Sequence, residues 1–291
     1  MQPFSKVRVI AAALIAAAII GGIIAFVFLR DDQVSIESEA VGPVHEIIGL
    51  SVEGRPIEAY TYGDGPIRVL FVGGIHGGYE WNSVLLSQQF IDYLEERPDI
   101  VPDDVSVTVI PSANPDGMYE VLGKTGRFTA SDVPAQLGPV GAGRFNARGV
   151  DINRNFDCKW RSESMWRGNV VSAGTAAFSE PEARAIRDFV VEHDPVAVVF
   201  WHSQANAVYA SECEAGILSG TRTLMNTYAR AAGYPAIDSF DAYEITGDAE
   251  GWLASIGIPA ITVELATHET IEWERNLAGI KALFSLYSGS N

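Results

Sequence analysis

The chain has 291 residues, 47% of them hydrophobic, with its 28 Gly and 14 Pro spread along it, which describes a folded globular protein rather than a disordered or fibrous one. Its 37 acidic residues outnumber its 20 basic ones, for a net charge of −17. Such a surface repels nucleic acid and anionic lipid headgroups and argues against nucleic acid as a partner.

Residues 1–30 hold Lys6, Arg8 and Arg30 and no acid, so the remainder is more acidic than the whole. Residues 9–29 carry no charge; as a helix they would run about 31 Å, enough to cross a bilayer. Lys6 and Arg8 precede this segment, while Asp31 and Asp32 follow Arg30. The positive-inside bias therefore predicts a cytoplasmic N-terminus (residues 1–8), a transmembrane signal anchor (9–29) and an extracytoplasmic remainder. A cleaved signal peptide, with secretion, is the alternative. The small-residue runs at 11–13 and 16–18 could serve as cleavage sites, but cutting there would leave an apolar new terminus.

A polar linker (30–43) comes next, ending at Gly42-Pro43. Strands are expected over 44–52 and 57–62, joined by the turn Glu53-Gly54-Arg55-Pro56, and over 68–72, a short apolar run that ends in glycines. Helical spacing covers 81–96, and the β-branched stretch 105–110 reads as another strand. Residues 112–178, rich in Gly, Asn, Arg and Ser, read as one long irregular region, and loops of that length are usually functional. Ser179, with Glu182 three residues on, predicts a capping box and a helix to about residue 192. A buried strand follows over 196–201, a helix over 218–232, a strand over 259–264 and a last helix over 269–287.

Strands alternating with helices predict one α/β domain, a three-layer α/β/α stack over 44–291 with a mixed, mostly parallel central sheet. In such sheets, sites gather where strands end at their carboxyl edge. His76 follows the strand at 68–72, His202 ends that at 196–201, and Glu264 ends that at 259–264. The only cysteines are Cys158 and Cys213. Outside the cytoplasm such a pair is readily oxidised to a disulfide; two zinc-binding thiolates are the alternative, although neither residue has a Cys-x-x-Cys or Cys/His neighbour.

Four segments carry the chemistry. They are Gly73-Gly74-Ile75-His76-Gly77-Gly78-Tyr79-Glu80, Gly149-Val150-Asp151-Ile152-Asn153-Arg154-Asn155-Phe156, Trp201-His202-Ser203-Gln204 and Thr262-Val263-Glu264-Leu265. A His beside a carboxylate, a distant second His and a late Glu make a zinc hydrolase pattern. With Gly54-Arg55-Pro56, Asn114-Pro115-Asp116-Gly117 and Phe178-Ser179-Glu180-Pro181-Glu182, these segments resemble the M14 zinc carboxypeptidases over most of residues 44–287.

The resemblance implies a zinc metallocarboxypeptidase that hydrolyses the C-terminal bond of a peptide substrate. It implies one zinc ion held by His76, Glu80 and His202, with a water on the open position and Glu264 as general base. The spacing departs from the family pattern, with three residues rather than two between His76 and Glu80; the glycines there can reshape the loop. Asn153 and Arg154 are expected to hold the substrate carboxylate and Tyr243 to close over it. Arg144 is the first choice to face the scissile carbonyl, with Arg148 and Arg127 behind it. Glu250, or else Asp248, is expected in the specificity pocket, where an acid would pair with a basic side chain. Related alternatives are an amidase or endopeptidase acting on cell-wall peptides, and a non-catalytic peptide binder. The enzyme is expected to act as a monomer.

Overall fold

The structure is a computed structural model that describes residues 42–289. The expected N-terminus (1–8), anchor (9–29) and all but the last two linker residues lie outside the described residues. Among the described residues, no helix is long and apolar enough to cross a membrane.

Strand β1 (Val44–Leu50) pairs antiparallel with β2 (Pro56–Tyr62) across a turn in which Gly54 takes φ +80°, a conformation open to glycine. Then come β3 (Ile67–Val72), α1 (Trp81–Glu96), β4 (Val105–Ile110) and α2 (Pro115–Leu122). A hairpin, β5 (Glu163–Trp166) with β6 (Asn169–Ser172), forms a separate two-stranded sheet. The chain continues through α3 (Pro181–His193), β7 (Ala197–Ser203), β8 (Ala207–Ala210), α4 (Ser219–Ala232), β9 (Ala236–Ile237), α5 (Ala249–Ser255), β10 (Ala260–Leu265) and α6 (Trp273–Tyr287).

Eight strands build the main sheet in the order β1-β2-β4-β3-β7-β10-β8-β9. Its centre, β4-β3-β7-β10, is parallel, and β2 and β8 flank it antiparallel, so the expected mixed α/β sheet is present. Alternation along the strands fills both faces. Val69 and Phe71 of β3 point into a core with Leu86 and Phe90 of α1, Leu224 and Tyr228 of α4, and Ile280 and Leu283 of α6. Leu70 and Val72 point the other way, into a core with Ile186 and Phe189 of α3 and Trp252 and Leu253 of α5. Strand β7 is buried along its whole length, as a central strand covered on both faces must be.

Three local expectations differ from the structure. The region 112–178 is not uniformly irregular: Asn114 caps α2 by accepting from Gly117 N, and the β5–β6 hairpin lies within it. Ser179 and Glu182 form no capping box; α3 starts behind Glu180 without a side-chain cap. Glu182 instead accepts from Val52 N at 2.9 Å and from Asn146 Nδ2 at 3.1 Å, while Ser179 Oγ accepts from Asn155 Nδ2. Distant partners outcompete the local cap. The last helix starts at Trp273 rather than 269, because Glu272 sits at φ +47° and accepts from Ala266 N at 2.7 Å, which folds the preceding residues back. Cys158 and Cys213 form a disulfide.

Candidate active site

The carboxyl ends of β3, β7 and β10 lie on one edge of the sheet. Glu264 is the register partner of His202 on parallel neighbouring strands. Beyond β3, a glycine-lined turn brings His76 to the same edge. Residues Gly77–Glu80 form one 3-10 turn, with Gly77 at φ +46°. That turn carries Glu80 back to His76, so the three-residue spacer still places Glu80 Oε1 2.8 Å from His76 Nδ1.

Both imidazoles present Nδ1 to the same point. His202 Nδ1 lies 3.1 Å from His76 Nδ1 and 3.1 Å from Glu80 Oε2. All three ligand atoms fall within 4.8 Å of one another, and the residues are at most 5% exposed. Two ring nitrogens facing each other cannot satisfy one another unless one carries a proton or both share a cation. Two imidazoles and a carboxylate are the donor set of a catalytic zinc site, so the residues present fit that ion.

Carboxylates stand behind these candidate ligands. Asp151 Oδ1 is 3.6 Å from His76 Nε2, and its Oδ2 accepts from Arg144 Nε and Nη2 at 3.0 and 2.8 Å. Burial raises the Asp151 carboxyl, but the Arg144 guanidinium, helped by His76 and Arg154, outweighs it and holds the group well below the usual carboxylate range. Glu250 Oε1 lies 3.1 Å from His202 Nε2 and accepts from Thr262 Oγ1 at 3.0 Å. Burial lowers the His202 imidazole, but Glu80 and Glu250 outweigh it and push it well above its ordinary value.

An open cleft of about 960 Å³, including its mouth, runs over these groups. Glu264 lines it with Oε2 accepting from Ala205 N at 3.2 Å. Burial, reinforced by the Glu80 charge, pushes the Glu264 carboxyl up to about 7. Arg144 Nη1 points toward Glu80 at 3.9 Å, and its guanidinium carbon lies 4.5 Å from the centre of the Trp166 ring. Asn153 Oδ1 accepts from Ala249 N at 2.8 Å, leaving its Nδ2 as the end offered to a ligand. Tyr243 also lines the cleft, against the edge of Phe240, and burial raises its hydroxyl pKa.

Arg154 is the most unusual of these groups. It is 2% exposed, it donates to the carbonyls of Asn153 and Met165, its Nε has no partner, and no acid pairs with it among the described residues. Asp151 and Asp248 feel its charge but neither forms an ion pair with it, and a buried guanidinium without a direct partner is costly and favours an anion from outside.

One cleft is lined by His76, Glu80, Arg144, Asn153, Arg154, His202, Tyr243, Asp248, Glu250 and Glu264, the first choices for the site together with Asp248. Arg148 and Arg127 do not; they pair with Glu180 and Asp92 elsewhere. Asp151, which has no role in the family resemblance, is recognisable in the sequence only as an acid two residues before Asn153 in a basic loop. Tyr79, inside the Gly73–Glu80 segment but given no role there, also lines the cleft, as do Trp166, Arg167 and His268, which lie outside the four segments.

Residues 43–275 match the family model for zinc carboxypeptidases, peptidase M14. The chain belongs to this family. It is similar to carboxypeptidase B of Helicoverpa zea, 30% identical over 245 residues that make up 74% of this chain and 56% of that protein. It is also similar to gamma-D-glutamyl-L-diamino acid endopeptidase 1 of Lysinibacillus sphaericus, at 24% identity, covering 76% of this chain and 60% of that one. The chain thus spans somewhat over half the length of these curated relatives. Among solved structures, the murein-tripeptide amidase of Escherichia coli O157 superposes with TM-score 0.60 at 22% identity, over 85% of this chain and 93% of that one. Bovine thrombin-activatable fibrinolysis inhibitor gives TM-score 0.65 at 19% identity, over 84% and 90%. The fold is that of the zinc-dependent M14 peptidases, and His76, Glu80 and His202 form the group able to hold the metal.

Proposed function

We propose that this chain is a zinc metallocarboxypeptidase that removes the C-terminal residue of a peptide. The observation that carries the reading is Arg154, a buried cation whose missing partner a free terminal carboxylate would supply in bidentate form. Asn153 Nδ2 adds a second donor, and the Tyr243 hydroxyl, on the same cleft, covers the bound end.

His76 Nδ1, Glu80 and His202 Nδ1 would hold one zinc ion, which when bound would supply an electrophile for the scissile carbonyl and acidify water. Glu264 takes the proton as the water oxygen bonds to the carbonyl carbon. Arg144, tied to Asp151 through Nε and Nη2, keeps Nη1 for the carbonyl oxygen where negative charge develops. Glu264 then returns the proton to the amide nitrogen as the carbon–nitrogen bond breaks, and the new amine leaves.

The same proposal places the enzyme outside the cytoplasm as a monomer on its 9–29 anchor, a compartment in which the Cys158–Cys213 disulfide persists. A second reading is favoured by the endopeptidase and amidase among the relatives: cleavage of an amide that lacks a free α-carboxylate on the leaving side. The deciding measurement compares a peptide with its C-terminal amide on the full chain, with and without chelator. Chelator-sensitive cleavage of the free acid, at least about 100-fold faster than of the amide, is expected from loss of a charge-assisted pair and an unpaired Arg154. Equal rates would move the assignment to an amidase or endopeptidase.

A further inference from the structure

The acid expected to read a substrate's basic side chain is already engaged. Glu250 is 3% exposed, and its Oε1 is shared by His202 Nε2 at 3.1 Å and Thr262 Oγ1 at 3.0 Å. The other candidate, Asp248, is the N-cap of α5 and accepts from Gly251 N at 2.7 Å. Both acids at this end of the cleft have partners within the chain.

The geometry of His202 gives Glu250 a purpose. An imidazole that offers Nδ1 to a cation must carry its proton on Nε2, and an acceptor placed at Nε2 selects that tautomer and fixes the ring plane. Glu250 stands at that place. His76 has a counterpart in Asp151, looser at 3.6 Å from its Nε2. Each imidazole therefore has a carboxylate on the side away from the point where the Nδ1 atoms meet.

The connection extends to the substrate end. Glu250 lies in the first turn of α5, and the start of that helix is held by Asn153 Oδ1 accepting from Ala249 N. A short chain of contacts thus runs from Asn153, on the proposed carboxylate site, through α5 to the ring of His202.

We propose that Glu250 is a positioning residue for the metal: it holds His202 in the Nε2–H tautomer with Nδ1 aimed at the ion, and it does not recognise a basic C-terminal side chain. The proposal rests on the metallopeptidase reading for the identity of the ion. It uses nothing of the carboxylate-binding role of Arg154.

The test uses the full chain as wild type, Glu250→Gln and Glu250→Ala, with two readouts. The first is zinc affinity of the stripped protein, by competition with a chromophoric chelator. The second is the ratio of kcat/KM for two peptides differing only in a C-terminal Lys or Leu. Glu250→Ala should lower zinc affinity by about 10- to 100-fold, and Glu250→Gln, which keeps an acceptor but loses the charge, by a smaller factor. The Lys-to-Leu ratio should be the same in all three proteins. Unchanged zinc affinity in both variants, or a preference for Lys that vanishes with Glu250, overturns the proposal. Should the Ala variant fail to fold, the near-isosteric Gln variant decides: an affinity at least threefold weaker supports the role and an equal affinity rejects it. A wild type that binds zinc but cleaves neither peptide rejects the carboxypeptidase reading while leaving the affinity comparison intact. One that binds no zinc overturns both.

Discussion

At the scale of single residues, Arg154 forms no ion pair among the described residues, and Glu264 has a backbone donor as its partner. Glu264 accepts one backbone hydrogen bond, and burial with the nearby Glu80 charge raises its carboxyl from 4.5 to about 7. A general base works in its ionised form, so activity is present above the folded-state pKa and is lost as pH falls through it. A cation on His76, Glu80 and His202 offsets the Glu80 charge and lowers the value, so the acid-side midpoint of kcat/KM is expected between 4.5 and about 7. Glu264→Gln should reduce kcat by about 10²- to 10⁴-fold and remove that acid limb, with zinc still bound. A variant that retains the limb would assign it to another group.

At the scale of elements, the site is held by glycines that let loops touch. A Cβ on Gly117, in the first turn of α2, would collide with Gly143 O and lie 2.7 Å from Asn114 Nδ2. Gly143 precedes Arg144, whose carbonyl accepts from Asn114 Nδ2 at 3.1 Å, and Gly77, beside His76, packs on the same Gly117 backbone. Gly117→Ala is therefore expected to push the Arg144 loop and the His76 turn apart, costing about 1–3 kcal/mol as overpacking does and weakening zinc affinity. Urea unfolding together with zinc titration checks this; a stability within error of wild type would show that the loops yield freely. The turn at Gly77 is also the physical answer to the unusual His76–Glu80 spacing. One tight turn brings residues four apart to 2.8 Å, so the extra residue is absorbed by backbone conformation and the ligand geometry is kept.

At the scale of the molecule, the disulfide joins the loop after the Asn153-Arg154 turn to the chain beyond β8. It closes a sequence separation of 55 residues, and Cys158 also accepts from Gly247 N, in the loop that follows Tyr243. In the chain-entropy picture such a closure contributes up to ~4 kcal/mol, and usually less in practice. A Cys158→Ser, Cys213→Ser double variant should unfold at lower denaturant, by about 2–4 kcal/mol. Its zinc affinity should hold, since His76 and Glu80 follow β3, outside the loop that the disulfide closes, and His202, inside it, is fixed by β7 between β3 and β10. Identical unfolding midpoints would remove the disulfide from the account of stability.

Sequence alone determined the features that depend on near neighbours. Hydrophobic spacing located α1 and β4 to the residue, because both are periodic stretches bounded by charge, glycine or proline. Motif residues at strand ends marked His76, His202 and Glu264, because a parallel sheet gathers such ends on one edge. Tertiary structure decided the rest. Glu250 meets His202 across 48 residues, Glu182 meets Val52 across 130, and Arg154 Nε is left buried without a hydrogen-bond partner. The first two reflect competition among polar groups far apart in the chain, which only folding brings within hydrogen-bonding distance.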